Sequence, residues 1–202
     1  QLGLPAMEFS YLWHCIEQTP VFLLMSNQLT RIDEVIDELE TYESPSTYGG
    51  GEKDFYALYC LAFFLRGVAL RYVAYPEHHT LVRHPVGERI DAAEVADDAI
   101  HSFNKVFEYG NFLDSVDRYL VYFAHYELGC LYSAHGNETE ARQELDLVLS
   151  RKPLVAQEGG PLRSGKADYL LSGMCQLRAN AALETMRIRR DRSAQRLTKS
   201  RS

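Results

Sequence analysis

The sequence has few cysteines, and they lack the spacing of a metal site or a redox pair. They are widely separated, at Cys15, Cys60, Cys130 and Cys175, with no Cys-x-x-Cys motif, and each lies in an apolar, helix-like run. Zinc ribbons and disulfide-stapled secreted domains need cysteines at short and regular spacing. The sequence therefore predicts buried, reduced thiols in a cytoplasmic protein.

Basic residues are scarce over most of the chain. The net charge is −7, but residues 187–202 hold seven basic side chains and one acidic one, so the rest of the chain carries −13. Nucleic-acid-binding proteins contact phosphates through clustered Lys and Arg. We therefore expect no nucleic-acid partner. The basic segment 187–202 is predicted to be a disordered tail, with attachment to an anionic membrane surface as the alternative.

A long uninterrupted apolar run is also missing. Residues 55–75, FYALYCLAFFLRGVALRYVAY, have the length of a membrane span, but Arg66 and Arg71 interrupt them. An arginine near the centre of a bilayer costs about 2.5–3.5 kcal/mol on insertion scales. A buried helix of an all-α domain explains this run better.

Strand-like alternation is absent, and a 3.6-residue period dominates the sequence. Proline at Pro20 is expected to kink or split the first helix, because it removes a backbone donor. Thr30, followed by Asp33, resembles a helix N-cap. The periodicity predicts seven helices, at about 6–26, 31–42, 53–75, 91–108, 115–135, 138–150 and 165–188.

One helical pair, at 122–155, carries a repeat signature. Gly129 and Ala141 are small where two antiparallel helices would pack closely, and Gly136 can adopt the left-handed conformation that ends a helix. Pro153 would stop the second helix. This is the spacing of the 34-residue tetratricopeptide repeat. The matching residues are Leu128, Gly129, Tyr132, Gly136, Ala141 and Pro153.

A degenerate copy of the repeat occupies 55–111. Gly67 stands where Gly129 stands in the clear repeat, and a loop is inserted at 76–95. The second helix of the copy supplies Ala99, Phe103 and Val106. The predicted fold class is therefore all-α, with about seven helices in tetratricopeptide-like hairpins. They would stack as a right-handed solenoid over 1–186, with atypical terminal units.

Longer stretches of the chain resemble one family of repeat proteins. They are PAMEFSYLWHCI (5–16), FFLRGVALRYV (63–73), DDAIHSFNKVF (97–107), DRYLVYFAHYELGCLYSAHGNETEAR (117–142) and DYLLSGMCQLRANAALE (168–184). Together they are similar to the C-terminal part of the family of animal tetratricopeptide repeat protein 39 and the fungal inclusion body clearance protein. The resemblance implies a piece of a longer protein, which the start at Gln1 without a methionine also favours.

The resemblance also implies a function. It is that of a non-enzymatic scaffold without a cofactor, associated with the clearance of protein inclusions and with lipid droplets. The implied location is cytoplasmic, with the nucleus or the surface of the mitochondrial outer membrane as further possibilities. The sequence predicts no oligomeric state.

Two groups of reactive side chains contain residue types that form chemical sites in other proteins. One is the stretch with His125, Glu127, Cys130 and His135. His125 and Cys130 are five positions apart, so they point to different faces of a helix, and no metal site is predicted. The other group supports an alternative function, an enzyme that handles metal or phosphate through the loop 76–90. Its residues are His78, His79 and His84.

The inner helix faces predict a groove for a protein partner, and no catalytic residue. Repeat positions 2, 5, 9 and 12 normally line this face. They are Phe123, Tyr126, Cys130 and Ser133 in the clear repeat, and Leu61, Phe64, Val68 and Arg71 one unit earlier. An apolar, aromatic groove suits a helical or extended partner segment. The alternative is that upstream helices or the closing helix fill it.

A carboxylate clamp is not predicted in this groove. Such clamps use Lys, Asn and Arg on the inner helix to bind a terminal carboxylate. The corresponding positions hold no cation. They are occupied by Phe123, Tyr126, Glu127 and Cys130.

Overall fold

Helices account for the regular structure of this protein. The computed structural model describes residues 3–16, 19–20, 23–76, 90–155, 167 and 169–199, with side chains described as far as residue 195. Within these ranges the chain forms α-helices and no strand, so the predicted all-α class is confirmed. The helices are α1 (Leu4–Leu12), α2 (Thr30–Glu40), α3 (Glu52–Ala74), α4 (Ala92–Tyr109), α5 (Tyr119–His135), α6 (Glu138–Leu149) and α7 (Ser172–Lys199).

Local sequence signals set several helix ends. The Asp91 carboxylate accepts hydrogen bonds from the backbone N–H groups of Ala93 and Glu94, at 3.0 and 3.4 Å, and so caps α4. Gly136 has a φ of +95° at the end of α5, and its N–H donates to the carbonyl of Tyr132. These two caps explain why the ends predicted near 91 and 135 agree with the structure.

The first predicted helix, 6–26, is split, as Pro20 led us to expect. Helix α1 ends at Leu12, and the Pro20 carbonyl accepts the backbone hydrogen bonds that begin the next helical segment. That segment, Leu24–Leu29, is a π-helix that continues directly into α2. The N-cap predicted at Thr30 is therefore wrong, because the helix has already formed before that residue.

Helix α3 is the centre of the fold. It packs most extensively against α4 and also contacts α1, α2 and α5, while α7 packs against α5 and α6. By length and composition α3 could cross a membrane, but 78% of its most apolar stretch is buried inside the fold. That degree of burial is typical of a core helix in a water-exposed domain.

Two glycines set the separation within the helical pairs. A Cβ on Gly67 of α3 would lie 2.6 Å from the ring of Phe103 on α4. A Cβ on Gly129 of α5 would lie 2.8 Å from Leu145 Cγ and 3.2 Å from the Ala141 carbonyl oxygen on α6. Phe103, Leu145 and Ala141 are fully buried. Both pairs are thus too close for any larger residue at the glycine.

The last helix is longer than predicted. Helix α7 ends at Lys199 rather than near 188, so the prediction of a disordered basic tail is wrong for residues 187–199. Arg187 forms two hydrogen bonds with the Glu184 carboxylate, at 2.6 and 2.9 Å, and this i, i+3 pair stabilises the helix. The side chains from 187 to 195 are exposed. The helix therefore presents its basic residues to solvent.

Candidate functional site

The residues of the repeat signature lie where α5 meets α6. Leu128 and Ala141 are buried, Gly129 touches α6, and Tyr132 is half-buried against the core. Helix α6 ends at Leu149, before Pro153 is reached. These residues position the helical pair, and they lie outside the cavity described below.

Helix α1 covers half of the predicted partner groove. The ring of Tyr11 lies edge-on between Phe64 of α3 and Phe123 of α5, with centroid distances of 5.0 and 5.8 Å. Both phenylalanines are fully buried, and Leu61 is half-buried against the same core. The prediction that Phe64 and Phe123 line an open groove is therefore wrong, while Leu61 keeps part of its surface exposed. An aromatic side chain of the chain's own first helix occupies that space.

The other half of the predicted groove is open. Tyr126, Cys130 and Ser133 of α5 line a cavity of about 750 Å³. Arg71 and Tyr75, at the end of α3, close one side. Helix α7 forms the opposite wall with Leu177, Arg178, Ala181, Ala182, Thr185 and Arg189. The cavity is thus bounded by three helices that are far apart in sequence.

A buried ion pair lies at the edge of this cavity. Arg71 Nε is 2.6 Å from Glu127 Oε2, and the two side chains are 6% and 2% exposed. At this distance, opposite charges hold the two side chains together. The Tyr11 hydroxyl donates to Glu127 Oε1 at 2.8 Å. Helices α1, α3 and α5 are therefore tied together by one carboxylate.

Protonation states at this pair follow from burial and charge. Burial alone would lower the pKa of Arg71, but the Glu127 carboxylate raises that pKa well above its usual value. Burial, and then the same carboxylate, raise the pKa of Tyr11 well above its usual value. Arg71 therefore stays charged, and Tyr11 stays a neutral donor.

Arg178 connects the cavity to α1. Its side chain belongs to a residue that is only 8% exposed, and its Nη2 donates to the carbonyl of Leu12 at 2.9 Å. The guanidinium lies 5.2 Å from the ring centroid of Tyr11 and 5.6 Å from that of Phe123. Its Nε has no hydrogen-bond partner among the described residues. A buried cation thus holds the carboxyl end of α1, where the helix dipole is negative.

Sequence reasoning placed Arg71 on the inner face but did not find the other two cations of this cavity. The clamp positions on α5 hold none, and the structure supplies guanidinium groups from α3 and α7 instead: Arg71, Arg178 and Arg189. For the ion pair, the sequence did contain a signal, since Arg71 and Glu127 lie on two helices that were predicted to be neighbours on the inner face. The contribution of α7 depends on how that helix docks, which periodicity alone does not give.

The histidines of α5 take part in packing between helices. His125 Nδ1 is 2.6 Å from the Glu144 carboxylate of α6, and its ring stacks on Phe107 of α4 at 4.2 Å. His135 Nδ1 is 2.5 Å from the Tyr75 hydroxyl. Within the part of the chain that the structure describes, no three His, Cys, Asp or Glu residues form a group that could hold a metal ion. The alternative site lies outside the described residues: His78, His79 and His84.

Cysteine reactivity tests whether the cavity is open to solvent. Burial raises the pKa of Cys60 and of Cys175 to about 12, whereas Cys15 is exposed and Cys130 lies half-buried in the cavity wall. We expect iodoacetamide to modify Cys15 and Cys130 in the folded protein, and the other two only after unfolding. Mass spectrometry of the modified peptides measures this. Modification of Cys130 as slow as that of buried Cys60 would contradict an open cavity.

Comparison with known proteins adds no assignment. No family model matches the sequence, and no solved structure matches the chain. Function is therefore argued from the cavity and from the residues around it.

Proposed function

We propose that this chain is a non-catalytic protein-interaction scaffold, and that it binds a segment of a partner protein in the cavity between α5 and α7. The observation that carries the proposal is the cavity of about 750 Å³, lined by Tyr126, Cys130 and Ser133. Cavities of this size, with apolar walls and a few polar groups, are suited to binding. No catalytic residue is assigned to it.

We propose further that the helices form tetratricopeptide-like hairpins in a right-handed solenoid. Helix α5 contacts α3 and α4, and α7 contacts α5 and α6. Each leading helix thus packs on both helices of the pair before it, as in a stacked repeat. Gly67 and Gly129 also support tetratricopeptide-like hairpins, because each allows close contact with the second helix of its own pair.

Helix α1 provides an internal example of how this inner face can hold a helical segment. It inserts one aromatic side chain, Tyr11, between Phe64 and Phe123, and it presents the Leu12 carbonyl to Arg178. An aromatic anchor with a polar contact at its edge is typical of a binding hot spot. A partner segment in the adjoining cavity would use contacts of the same kind.

The proposed setting follows from the resemblance described above. It is the clearance of protein inclusions, in the cytoplasm and also in the nucleus, at lipid droplets or at the mitochondrial outer membrane. The exposed basic residues at 187–195 are compatible with peripheral contact with such surfaces.

The proposal is tested by filling the cavity. We expect Ser133→Trp to lower the recovery of specific partners by about tenfold or more, because a blocked site loses at least about 1.4 kcal/mol of binding free energy. Affinity capture and proximity labelling in cells, compared with the unmodified chain, measure this.

A matched control is Ser115→Trp, at an exposed position in the turn before α5. It adds the same side chain away from the cavity, and its partner list should not change. Circular dichroism and thermal unfolding must first show that both variants fold. A partner list that Ser133→Trp leaves intact would refute binding in the cavity.

A further inference from the structure

The cavity has a cationic lining in a chain that is acidic overall. Arg71, Arg178 and Arg189 line it, and no Asp or Glu does so among the described residues. Glu127, beneath the surface, offsets the charge of Arg71. Outside residues 187–202 the chain carries −13, so the positive cavity is a local feature and does not reflect the overall charge.

The positive charge continues along α7 beyond the cavity. At about 100° per residue, Arg178, Arg189 and Arg192 fall within about 60° of one another around the helix axis. Arg178 is a buried residue of the cavity wall, Arg189 is an exposed one, and Arg192 is exposed about one turn further on. We call these three residues the basic stripe. It is about 21 Å long, which an extended peptide of about six residues would span.

We infer that the cavity and the basic stripe bind an extended acidic segment of the partner, with carboxylates on the stripe and apolar side chains in the cavity. The inference rests on the proposed function and adds the chemistry of the partner. Guanidinium groups bind carboxylates in a planar, two-pronged geometry. Small and aliphatic residues of the cavity wall leave room for apolar side chains, namely Ala74, Ala134, Leu177 and Ala181.

The buried end of the stripe favours a peptide over a flat anionic surface. Arg178 is largely withdrawn from water, one of its nitrogens already bonds Leu12, and its Nε has no described partner. A buried cation with little hydration gains from a nearby carboxylate. A membrane can approach the exposed Arg189 and Arg192 but cannot enter the cavity, whereas a single extended chain can reach all three.

The test uses the whole 202-residue chain and three hexapeptides that differ only in charge. Their sequences alternate leucine with glutamate, glutamine or lysine. Calorimetry gives the dissociation constants, and the rate of Cys130 alkylation, referred to that of exposed Cys15, reports occupancy of the cavity. We expect the glutamate peptide to bind and to slow Cys130 alkylation, and its affinity should fall as the salt concentration rises. The affinity of the glutamine peptide should be at least about fivefold lower.

Substitutions locate the charge that matters. The double variant Arg189→Gln with Arg192→Gln removes the exposed part of the stripe and leaves Arg178, which also holds α1, in place. The matched double variant Arg187→Gln with Arg190→Gln makes the same charge change about 120–180° away from Arg178 on the same helix. We expect Arg189→Gln with Arg192→Gln to lower the affinity for the glutamate peptide roughly tenfold. The control pair should lower that affinity by less than about twofold.

The outcomes separate this inference from the proposed function. Equal affinity for the glutamate and glutamine peptides overturns the acidic partner and leaves the scaffold in place. Failure of all three peptides to bind, or equal weakening in both double variants, also overturns it. Phosphatidylserine vesicles form a further arm, and stronger protection of Cys130 by vesicles than by the glutamate peptide would overturn the inference in favour of a membrane. The cellular comparison of Ser133→Trp with Ser115→Trp decides the proposed function independently.

Discussion

Replacing Arg71 by methionine is expected to lower the free energy of unfolding by about 3–5 kcal/mol, the cost of leaving a buried charge without its partner. In the variant the Glu127 carboxylate keeps the Tyr11 hydroxyl, but the positive charge 2.6 Å away is lost. Urea denaturation followed by circular dichroism at a helix-sensitive wavelength measures the change.

Two controls separate the buried charge from the loss of a side chain. Lys53→Met removes a cation from an exposed pair with Asp114, at 3.1 Å and 62% and 52% exposure, and should cost less than about 1 kcal/mol. Adding Glu127→Leu and Tyr11→Phe to Arg71→Met should recover most of the stability, because an apolar cluster then replaces the polar one. Equal losses for Arg71→Met and Lys53→Met would show that water reaches Glu127.

Leucine at Gly67 or at Gly129 should destabilise the protein by about 3 kcal/mol, because overpacking forces buried neighbours apart. At Gly67 the new Cβ alone meets the Phe103 ring at 2.6 Å, and that ring is fully buried. At Gly129 it meets Leu145 and also the Ala141 carbonyl oxygen, which the backbone holds in place. Thermal and urea unfolding report both losses.

Gly173→Leu is the matched control for these variants. Gly173 lies in the first turn of α7, and a Cβ there meets no heavy atom within 4 Å. Leucine favours a helix by up to about 1 kcal/mol over glycine, so this variant should be neutral or more stable. If Gly67→Leu behaved like Gly173→Leu, the close packing of α3 on α4 would be disproved.

Helices with strong local signals could be predicted from the sequence alone. The predicted helices 53–75, 91–108 and 138–150 differ by about one residue from α3, α4 and α6. Features of the chain itself fix such ends: the Asp91 side chain caps the start of α4, and Gly136 ends α5 at the predicted residue 135. The close packing of helices at Gly67 and Gly129 was also predictable, because the two glycines stand at matching repeat positions.

The candidate site was only half predictable, because its composition depends on contacts between distant segments. Tyr126, Cys130 and Ser133 line the cavity, whereas Phe64 and Phe123 are covered by α1. The hydrophobic periodicity of residues 5–16 does not indicate that the Tyr11 side chain would pack against both α3 and α5. The extension of α7 was missed for another reason, since a run of arginines indicates solvation but does not prevent a helix.

Helix α1 is bound to residues that are synthesised much later. Tyr11 and Glu127 are 116 positions apart, and Leu12 and Arg178 are 166 apart. A ribosome makes α1 before α5 and α7, so the contact between Leu12 and Arg178 can form only once α7 has emerged. Repeat proteins can often fold one unit at a time, but the carboxyl end of α1 here is held by a side chain that is made 166 residues later. Until then, Tyr11 can already pack against Phe64 and Phe123, while the carboxyl end of α1 remains without its cation.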